Sequence, residues 1–275
     1  MSEQESPSRL TVVREAMATE FDITVAGCPE KLARQAAEAA LAELAPLEQE
    51  LSRYIENSDI SRINRLPRGG TTVVSPETFD CLQIALEMQR TTGGTFDVTY
   101  ASKGGGHGHE RIRLDRSRIA VEVLFDGVHV DLGGIGKGFA LDHMAGVLGE
   151  WGVGRALLRA SHSTMLATAA PPGEAGWMMV FGPEGRKIEF PLVNQSLSAS
   201  GIAIRGEHII DPATGTAAGG RFRAWALAPT GAESDALSTA FMIMTPKAIR
   251  EMLHRKPEYK AWFETGPDSP VEAAP

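Results

Sequence analysis

Val130-Asp131-Leu132-Gly133-Gly134-Ile135-Gly136-Lys137-Gly138-Phe139-Ala140-Leu141-Asp142 is an apolar, β-like run that ends on an aspartate and turns through four glycines and a lysine. A helical pattern begins at about Phe139. Glycines let backbone N–H groups approach an anion closely, and a helix start behind them adds partial positive charge. Lys137 supplies a full one. Two familiar phosphate loops fail by spacing. Gly138 follows Lys137 where a P-loop needs Ser or Thr, and Asp131 stands where its first glycine belongs. Leu141 falls where a dinucleotide fingerprint starting at Gly136-x-Gly138 needs its third glycine.

Upstream, Leu10–Arg14 and Glu20–Val25 alternate like paired strands around Met17-Ala18. Apolar residues recur at helical spacing from Glu30 to Leu51, with Pro46 expected to kink or divide that helix. Ser58 can cap a short helix ending near Asn64. Ser75, followed by Pro76 and Glu77, caps a longer one that stops at Gly93-Gly94. Gly104–His109 is a glycine linker whose two histidines read as a mobile turn rather than a metal pair. Ile119–Leu124 and Val128–Asp131 are expected to form a hairpin around Asp126-Gly127 that delivers the chain to the glycine corner.

Downstream, the corner helix should stop at Gly152. Strands are expected at Arg155–Leu158, Trp177–Phe181, Ile188–Leu192, Ser196–Gly201, His208–Ile210 and Arg223–Ala228. Ser234 reads as the N-cap of a helix over Asp235–Met244, and Thr245-Pro246 opens another to His254. Residues 1–8 and 264–275 read as a disordered lead and tail around one domain over 9–263. Helices interleaved with sheets and hairpins make this an α+β (mixed α/β) single domain.

The 275 residues are 43% hydrophobic, enough for a full core, and a formal charge of −8 without a Lys/Arg run excludes a nucleic-acid footprint. Only Cys28 and Cys81 occur, so neither a disulfide framework nor a zinc ribbon is indicated. The start is polar and acidic, and no apolar stretch reaches about 18 residues. A cytoplasmic protein with no membrane span is expected.

Asp235 and Thr239 share one helix face at i, i+4. Taken alone, the pair reads first as a helix-start aspartate with a threonine bonded back to the i−4 carbonyl. Carboxylate and hydroxyl oxygens side by side also suit a hard cation such as Mg²⁺. Asp97, Asp131 and Asp211 end apolar runs, where both turn-capping and ligand-binding carboxylates occur. His208 opens a buried strand, ordinarily a structural place.

Taken together and in order, several segments resemble the FAD:protein FMN transferase (ApbE-like) family over about residues 12–255. They are Met17-Ala-Thr19 with Phe21, Ser52-Arg-Tyr54 through Ser58 and Asn64, Gly93-Gly94-Thr95-Phe96-Asp97, and Asp131-Leu-Gly-Gly-Ile-Gly-Lys137-Gly. Further along stand Ser200-Gly201, His208-Ile-Ile-Asp-Pro-x-Thr-Gly215 and Asp235-Ala-Leu-Ser-Thr239. The resemblance implies an ApbE-like fold and Mg²⁺-dependent transfer of FMN from FAD to a Ser or Thr hydroxyl of a target flavoprotein, releasing AMP. It further implies Asp235, Thr239 and the Gly134 carbonyl as metal ligands. Lys137 would hold the dinucleotide with Asp131 beside it. Met17, Tyr54, Thr95, Phe96, Asp97 and Ser200 would line the FAD site, and His208 would sit near the pyrophosphate. Asp131, His208 and Asp235 all stay open as the general base.

The chain departs from the family at Arg159-Ala160-Ser161-His162-Ser163-Thr164, where Asn-x-Gly-Gly-Asp/Asn is usual. Side chains there make backbone paths with φ > 0 less available. Tyr100–Asp131 and Gly201–His208 are also shorter than usual. The departures leave two alternatives, a non-catalytic flavin-binding or scaffold relative and a hydrolase that splits FAD to FMN and AMP.

Overall fold

The computed structural model describes residues 9–103, 108–184, 187–201, 209–267, 269 and 271–274. Strands β1 (Arg9–Ala16) and β2 (Thr19–Ala26) form the first hairpin, in the expected place. Its two-residue turn holds Met17 at φ 50° and Ala18 at φ 55°, the left-handed pair that such hairpins need, here without a glycine. Helices α1 (Glu30–Ala42) and α2 (Leu44–Leu51) divide at Glu43 rather than at Pro46. Pro46 has no N–H for the Ala42 carbonyl and its ring crowds that oxygen, so the first helix ends upstream of the proline.

Helices α3 (Asp59–Asn64) and α4 (Pro76–Thr91) start at their expected caps, Ser58 and Ser75, whose hydroxyl oxygens accept the Ser61 and Thr78 N–H groups at 2.9 and 3.0 Å. Between and after them lie β3 (Thr71–Val73), the single turn α5 (Gly108–Arg111), β4 (Ile112–Asp115) and β5 (Ala120–Val123). The two linker histidines divide. His107 lies outside the described residues, and His109 bonds to the Gln89 side-chain oxygen.

The hairpin expected around Asp126-Gly127 does not form. β5 pairs with β3 and β4 in a small antiparallel sheet, and residues 128–131 join no ladder. Their backbone groups have other partners. The Asn64 amide takes the Val130 N–H at 2.7 Å and donates to its carbonyl at 3.0 Å, while the Asp131 N–H goes to the Val98 carbonyl at 2.8 Å. Extended chain satisfied by side chains and a loop has nothing left for a strand to pair with.

Beyond the glycine corner run α6 (Gly136–Glu150), β6 (Ala156–Ala160), β7 (Thr164–Ala167), β8 (Trp177–Phe181), β9 (Ile188–Leu192), β10 (Gln195–Gly201) and β11 (Arg223–Ala228). Then come α7 (Gly231–Phe241), α8 (Pro246–Arg255), β12 (Lys260–Glu264) and β13 (Glu272–Ala273). α6 begins at Gly136, three residues before its apolar pattern. α7 is capped by Thr230, not Ser234: the Glu233 N–H donates to the Thr230 hydroxyl at 3.2 Å, and that hydroxyl donates to the Glu233 carboxylate at 3.1 Å. The tail expected to be disordered instead lays β13 along β12, pairing Trp262 with Ala273 and Phe263 with Glu272. Residues 1–8 lie outside the described residues.

Among the described residues the main sheet has eight strands in the order β1-β2-β6-β7-β10-β11-β12-β13, every neighbouring pair antiparallel. One face carries Phe21, Ile23, Leu158, Leu166 and Phe263 against α1, α6 and α7. Ala224, Ala226 and Ala228 of β11 are small and fully buried, so α7 lies close upon the sheet. On the other face the hairpin β8–β9 covers Leu157, Leu197, Trp225 and Leu227 with Trp177, Met179 and Leu192. The helical face therefore carries the glycine corner. Among the described residues no helix is long and apolar enough to cross a membrane.

Candidate active site

α7 is set on β10 by hydroxyls. The Ser234 oxygen lies 2.8 Å from that of Ser196 and 2.7 Å from that of Ser198, and Ser200 meets Ser238 at 2.8 Å. Strand positions two apart and helix positions four apart thus face each other along the interface. Ser200 also lies 3.3 Å from the Thr239 hydroxyl, at the end of the interface where α7 meets the glycine corner.

Asp235 is the centre of the site, 3% exposed. The Lys137 ammonium lies 3.4 and 3.3 Å from its two oxygens, the Gly138 N–H donates to Oδ2 at 3.2 Å, and the Thr164 hydroxyl donates to Oδ1 at 3.4 Å. Thr239 makes its back-bond to the Asp235 carbonyl at 3.3 Å. Its hydroxyl also faces Gly134 closely: a Cβ on Gly134 would stand 3.3 Å from Thr239 Oγ1 and 3.3 Å from Phe96 Cε2. The structure thus gathers Gly134, Lys137, Asp235, Thr239, Ser200 and Phe96. Carboxylate and hydroxyl oxygens with no soft donor beside them suit a hard cation. A single carboxylate suits Mg²⁺, which keeps waters and takes substrate phosphates for the remaining positions.

Asp131 stands on the other flank. Its Oδ1 accepts the Gly133 N–H at 2.9 Å, closing the glycine corner, and Oδ2 accepts the Tyr100 hydroxyl at 3.1 Å with Arg53 Nε at 3.5 Å. Burial, and then the charge of Asp131, push the Tyr100 phenol up, so it stays a donor. Arg53 also lies over the Tyr54 ring at 4.7 Å and donates to its hydroxyl at 2.6 Å, holding an 82% exposed aromatic at the rim.

Thr95 and Asp97 face inward to local partners. The Thr95 hydroxyl donates to the Thr92 carbonyl at 2.7 Å. Asp97 accepts the Thr99 N–H and hydroxyl at 2.7 Å each and the Gly108 N–H at 3.3 Å, bracing the turn that presents Phe96. Met17 lies in the β1–β2 turn. The Ser161 N–H donates to the Glu20 carbonyl at 2.7 Å and the Ala199 N–H to the Ser163 carbonyl at 2.6 Å, so this turn, the β6–β7 turn and the end of β10 meet at one rim of the sheet. Ser161 itself takes φ 56°. The left-handed path survives at this departure from the family pattern, against expectation, because hydrogen bonds on both sides hold it. His208 lies outside the described residues.

Arg53, Tyr100 and Thr164 are site groups to which sequence reasoning gave no role, and their links to Asp131 and Asp235 are long-range. A separate cavity of about 520 Å³, lined by Phe79, Leu86, Arg90, His109, Arg113 and Arg116, lies between α4 and the small sheet. None of the clustered groups lines it, and Arg113 is paired with Glu122 and Arg116 with Gln83.

Residues 17–263 match the family model described as the ApbE family. The chain belongs to the ApbE family. Among its relatives is the FAD:protein FMN transferase of Escherichia coli strain K12, 23% identical, with 87% of this chain and 80% of that protein covered. The FAD:protein FMN transferase of Buchnera aphidicola is 22% identical, with 75% and 73% covered. The apo flavinyl transferase ApbE of Pseudomonas stutzeri superposes with a TM-score of 0.85 at 18% identity over 99% of this chain and 96% of that one. The ApbE protein of Thermotoga maritima gives 0.81 at 23% identity, covering 97% of each. The α+β fold of this ApbE chain is thus the one those structures share.

Proposed function

We propose that this chain transfers the FMN half of FAD onto a Ser or Thr hydroxyl of a target flavoprotein and releases AMP. The observation that carries the reading is the buried Asp235 carboxylate, held between the Lys137 ammonium and the Gly138 N–H and one helical turn from Thr239. In the reaction the acceptor oxygen bonds to the FMN phosphorus, the bond from that phosphorus to the bridging oxygen breaks, and AMP leaves with that oxygen. The acceptor's proton passes to a base, for which His208 is the candidate, because Asp131 and Asp235 are both engaged with cationic and N–H partners.

Asp235, Thr239 and the Gly134 carbonyl would hold Mg²⁺. Bound there, the ion supplies positive charge to the pyrophosphate oxygens as the bond breaks. Lys137 would bring its charge to the same oxygens, at the positive end of α6. Tyr54 offers aromatic surface for the flavin, with Met17 at the rim. A departing phosphate anion would thus meet a lysine and a helix start together, beside the residues that would hold the cation.

The test is AMP release from FAD by the purified protein with Mg²⁺ and with EDTA, with and without a flavoprotein acceptor. Mg²⁺-dependent release that requires the acceptor and adds the mass of FMN to it is the expected result. Release without an acceptor would make the chain a hydrolase, and retained FAD without AMP would make it a flavin-binding relative. The His208 assignment is tested separately: His208→Ala should lower transfer at saturating FAD while leaving FAD affinity unchanged, and an equal loss in both would make the residue structural.

A further inference from the structure

α6 and α7 bring their N-termini together, and each terminus carries N–H groups with no partner in its own helix and a partial positive charge. The N-cap of α6, Ile135, has no side chain to meet them. The aspartates of the opposite helices do. Asp235 of α7 accepts the Gly138 N–H of α6 at 3.2 Å, and Asp142 of α6 accepts the Gly231 and Ala232 N–H groups of α7 at 2.6 and 2.8 Å. The arrangement repeats itself: Gly138 precedes Asp142 by four residues, and Gly231 precedes Asp235 by four.

The two glycines make the crossing. A Cβ on Gly138 would lie 2.0 Å from the Gly231 carbonyl oxygen, and one on Gly231 would lie 2.3 Å from the Gly138 carbonyl oxygen. The helices therefore touch backbone to backbone, with one carboxylate reaching across on each side. The halves differ in what else they meet. Asp235 also holds Lys137 and Thr164 and faces the site, whereas the bonds of Asp142 go to the first turn of α7.

We propose that Asp142 is a positioning residue for Asp235 and Thr239: by holding the first two N–H groups of α7 it fixes where that helix sits along α6. This rests on the reading of Asp235, Thr239 and Gly134 as the cation site. Gly134 precedes α6 and Thr239 lies two turns into α7, so the distance between them follows the placement of one helix against the other. Asp142 sets that placement from a position behind the reacting atoms.

Asp142→Asn keeps the shape but turns an NH₂ group toward one of the two N–H donors, replacing a bond by a clash of like groups. Thr230→Ala is the control, since it removes the other cap of the same helix end without touching the contact with α6. Mn²⁺ binding is read by electron paramagnetic resonance in the presence of FAD, and the Gly138 amide is followed by ¹⁵N NMR as a direct report of its bond to Asp235. Asp142→Asn should weaken Mn²⁺ at least tenfold, shift the Gly138 amide and lower kcat for FAD cleavage more than it raises KM, while Thr230→Ala does none of these.

Wild-type Mn²⁺ affinity with an unshifted Gly138 amide in Asp142→Asn overturns the proposal, and so does an equal effect of Thr230→Ala. Should Asp142→Asn not fold, Asp142→Glu keeps the charge and pushes α7 outward by up to a methylene. An unshifted Gly138 amide in that variant overturns the proposal as well. If the wild type binds no Mn²⁺ and releases no AMP, the cation and transferase readings fail, and the Gly138 amide alone still decides the positioning role.

Discussion

Gly138→Ala tests the crossing of α6 and α7 most directly, because helix propensity and packing predict opposite signs. On propensity alone, alanine in place of a helical glycine should gain about 1 kcal/mol. At Gly138 the new Cβ would lie 2.0 Å from the Gly231 carbonyl oxygen, 2.3 Å from its carbon and 2.8 Å from the Ala232 nitrogen, all backbone, where ordinary contact starts at 3.4 Å. The helices must part by about 1.4 Å, the difference of 3.4 and 2.0, and a close-packed interior has no room to absorb it. That movement stretches the 3.2 Å bond between Gly138 and Asp235 past hydrogen-bond range and strains the Asp142 bonds to α7. Overpacking plus a weakened cap amounts to about 3 kcal/mol lost, and a displacement of about 1 Å at the cation ligands to a rate loss of roughly a hundredfold. Gly136→Ala is the matched comparison, since its Cβ would meet only Leu132 Cβ at 4.0 Å. Urea denaturation and AMP release should show Gly136→Ala as stable as wild type or more so and active, and Gly138→Ala impaired in both. Two alanine variants that behave alike, or a Gly138→Ala protein within about 0.5 kcal/mol of wild type, would refute the reasoning.

Burial pushes the Asp142 carboxyl up to about 6 despite its two N–H partners, with Glu233 and Asp235 adding smaller like-charge contributions. A raised carboxyl favours the folded state below its unfolded value near 4 and loses that contribution as pH rises through 6, by about 3 kcal/mol in total. The stability of wild type minus that of Asp142→Asn should therefore fall between pH 4 and 6.5 in urea titrations; parallel curves would count against a buried, titrating Asp142. Ala18 holds φ 55° in an exposed two-residue turn, so Ala18→Gly should raise stability by about 0.5–1 kcal/mol. An unchanged urea midpoint would show that the turn carries no strain. Asn64→Ala leaves both backbone groups of Val130 without their partners and should cost about 1–3 kcal/mol. Because Asp131 is the next residue, FAD affinity should fall too; intact affinity would mean that the segment holds its place without Asn64.

What the sequence made legible was local. Ser58, Ser75 and Thr245 cap their helices as expected, because a cap involves a side chain and an N–H three residues away. Ser234 looked equally good and is instead a buried hydroxyl between Ser196 and Ser198; Thr230, four residues earlier, takes the capping bond. Residues 128–131 read as a strand because they alternate apolar and polar, and periodicity cannot tell a ladder from an extended segment held by Asn64. The tail read as disordered from its Pro and Ala content, yet β13 needs only two residues to extend an existing edge. Asp235 and Thr239 were visible as an i, i+4 pair. Arg53 and Tyr100 were not visible as partners of Asp131, since only the folded chain brings together residues 78 and 31 positions apart.

The hydroxyls between α7 and β10 do a different kind of work from the core around them. A met hydroxyl pair adds little net stability, while an unmet one in a dry interface is costly. Slid by one turn, the helix would still bury alanine and leucine against the strands. It would, however, bring only one of Ser234 and Ser238 opposite a strand serine and leave the remaining hydroxyls of the ladder unmet. The ladder acts as a vernier: it contributes little to binding the helix, and it rejects every seat but the one that sets Thr239 opposite Gly134.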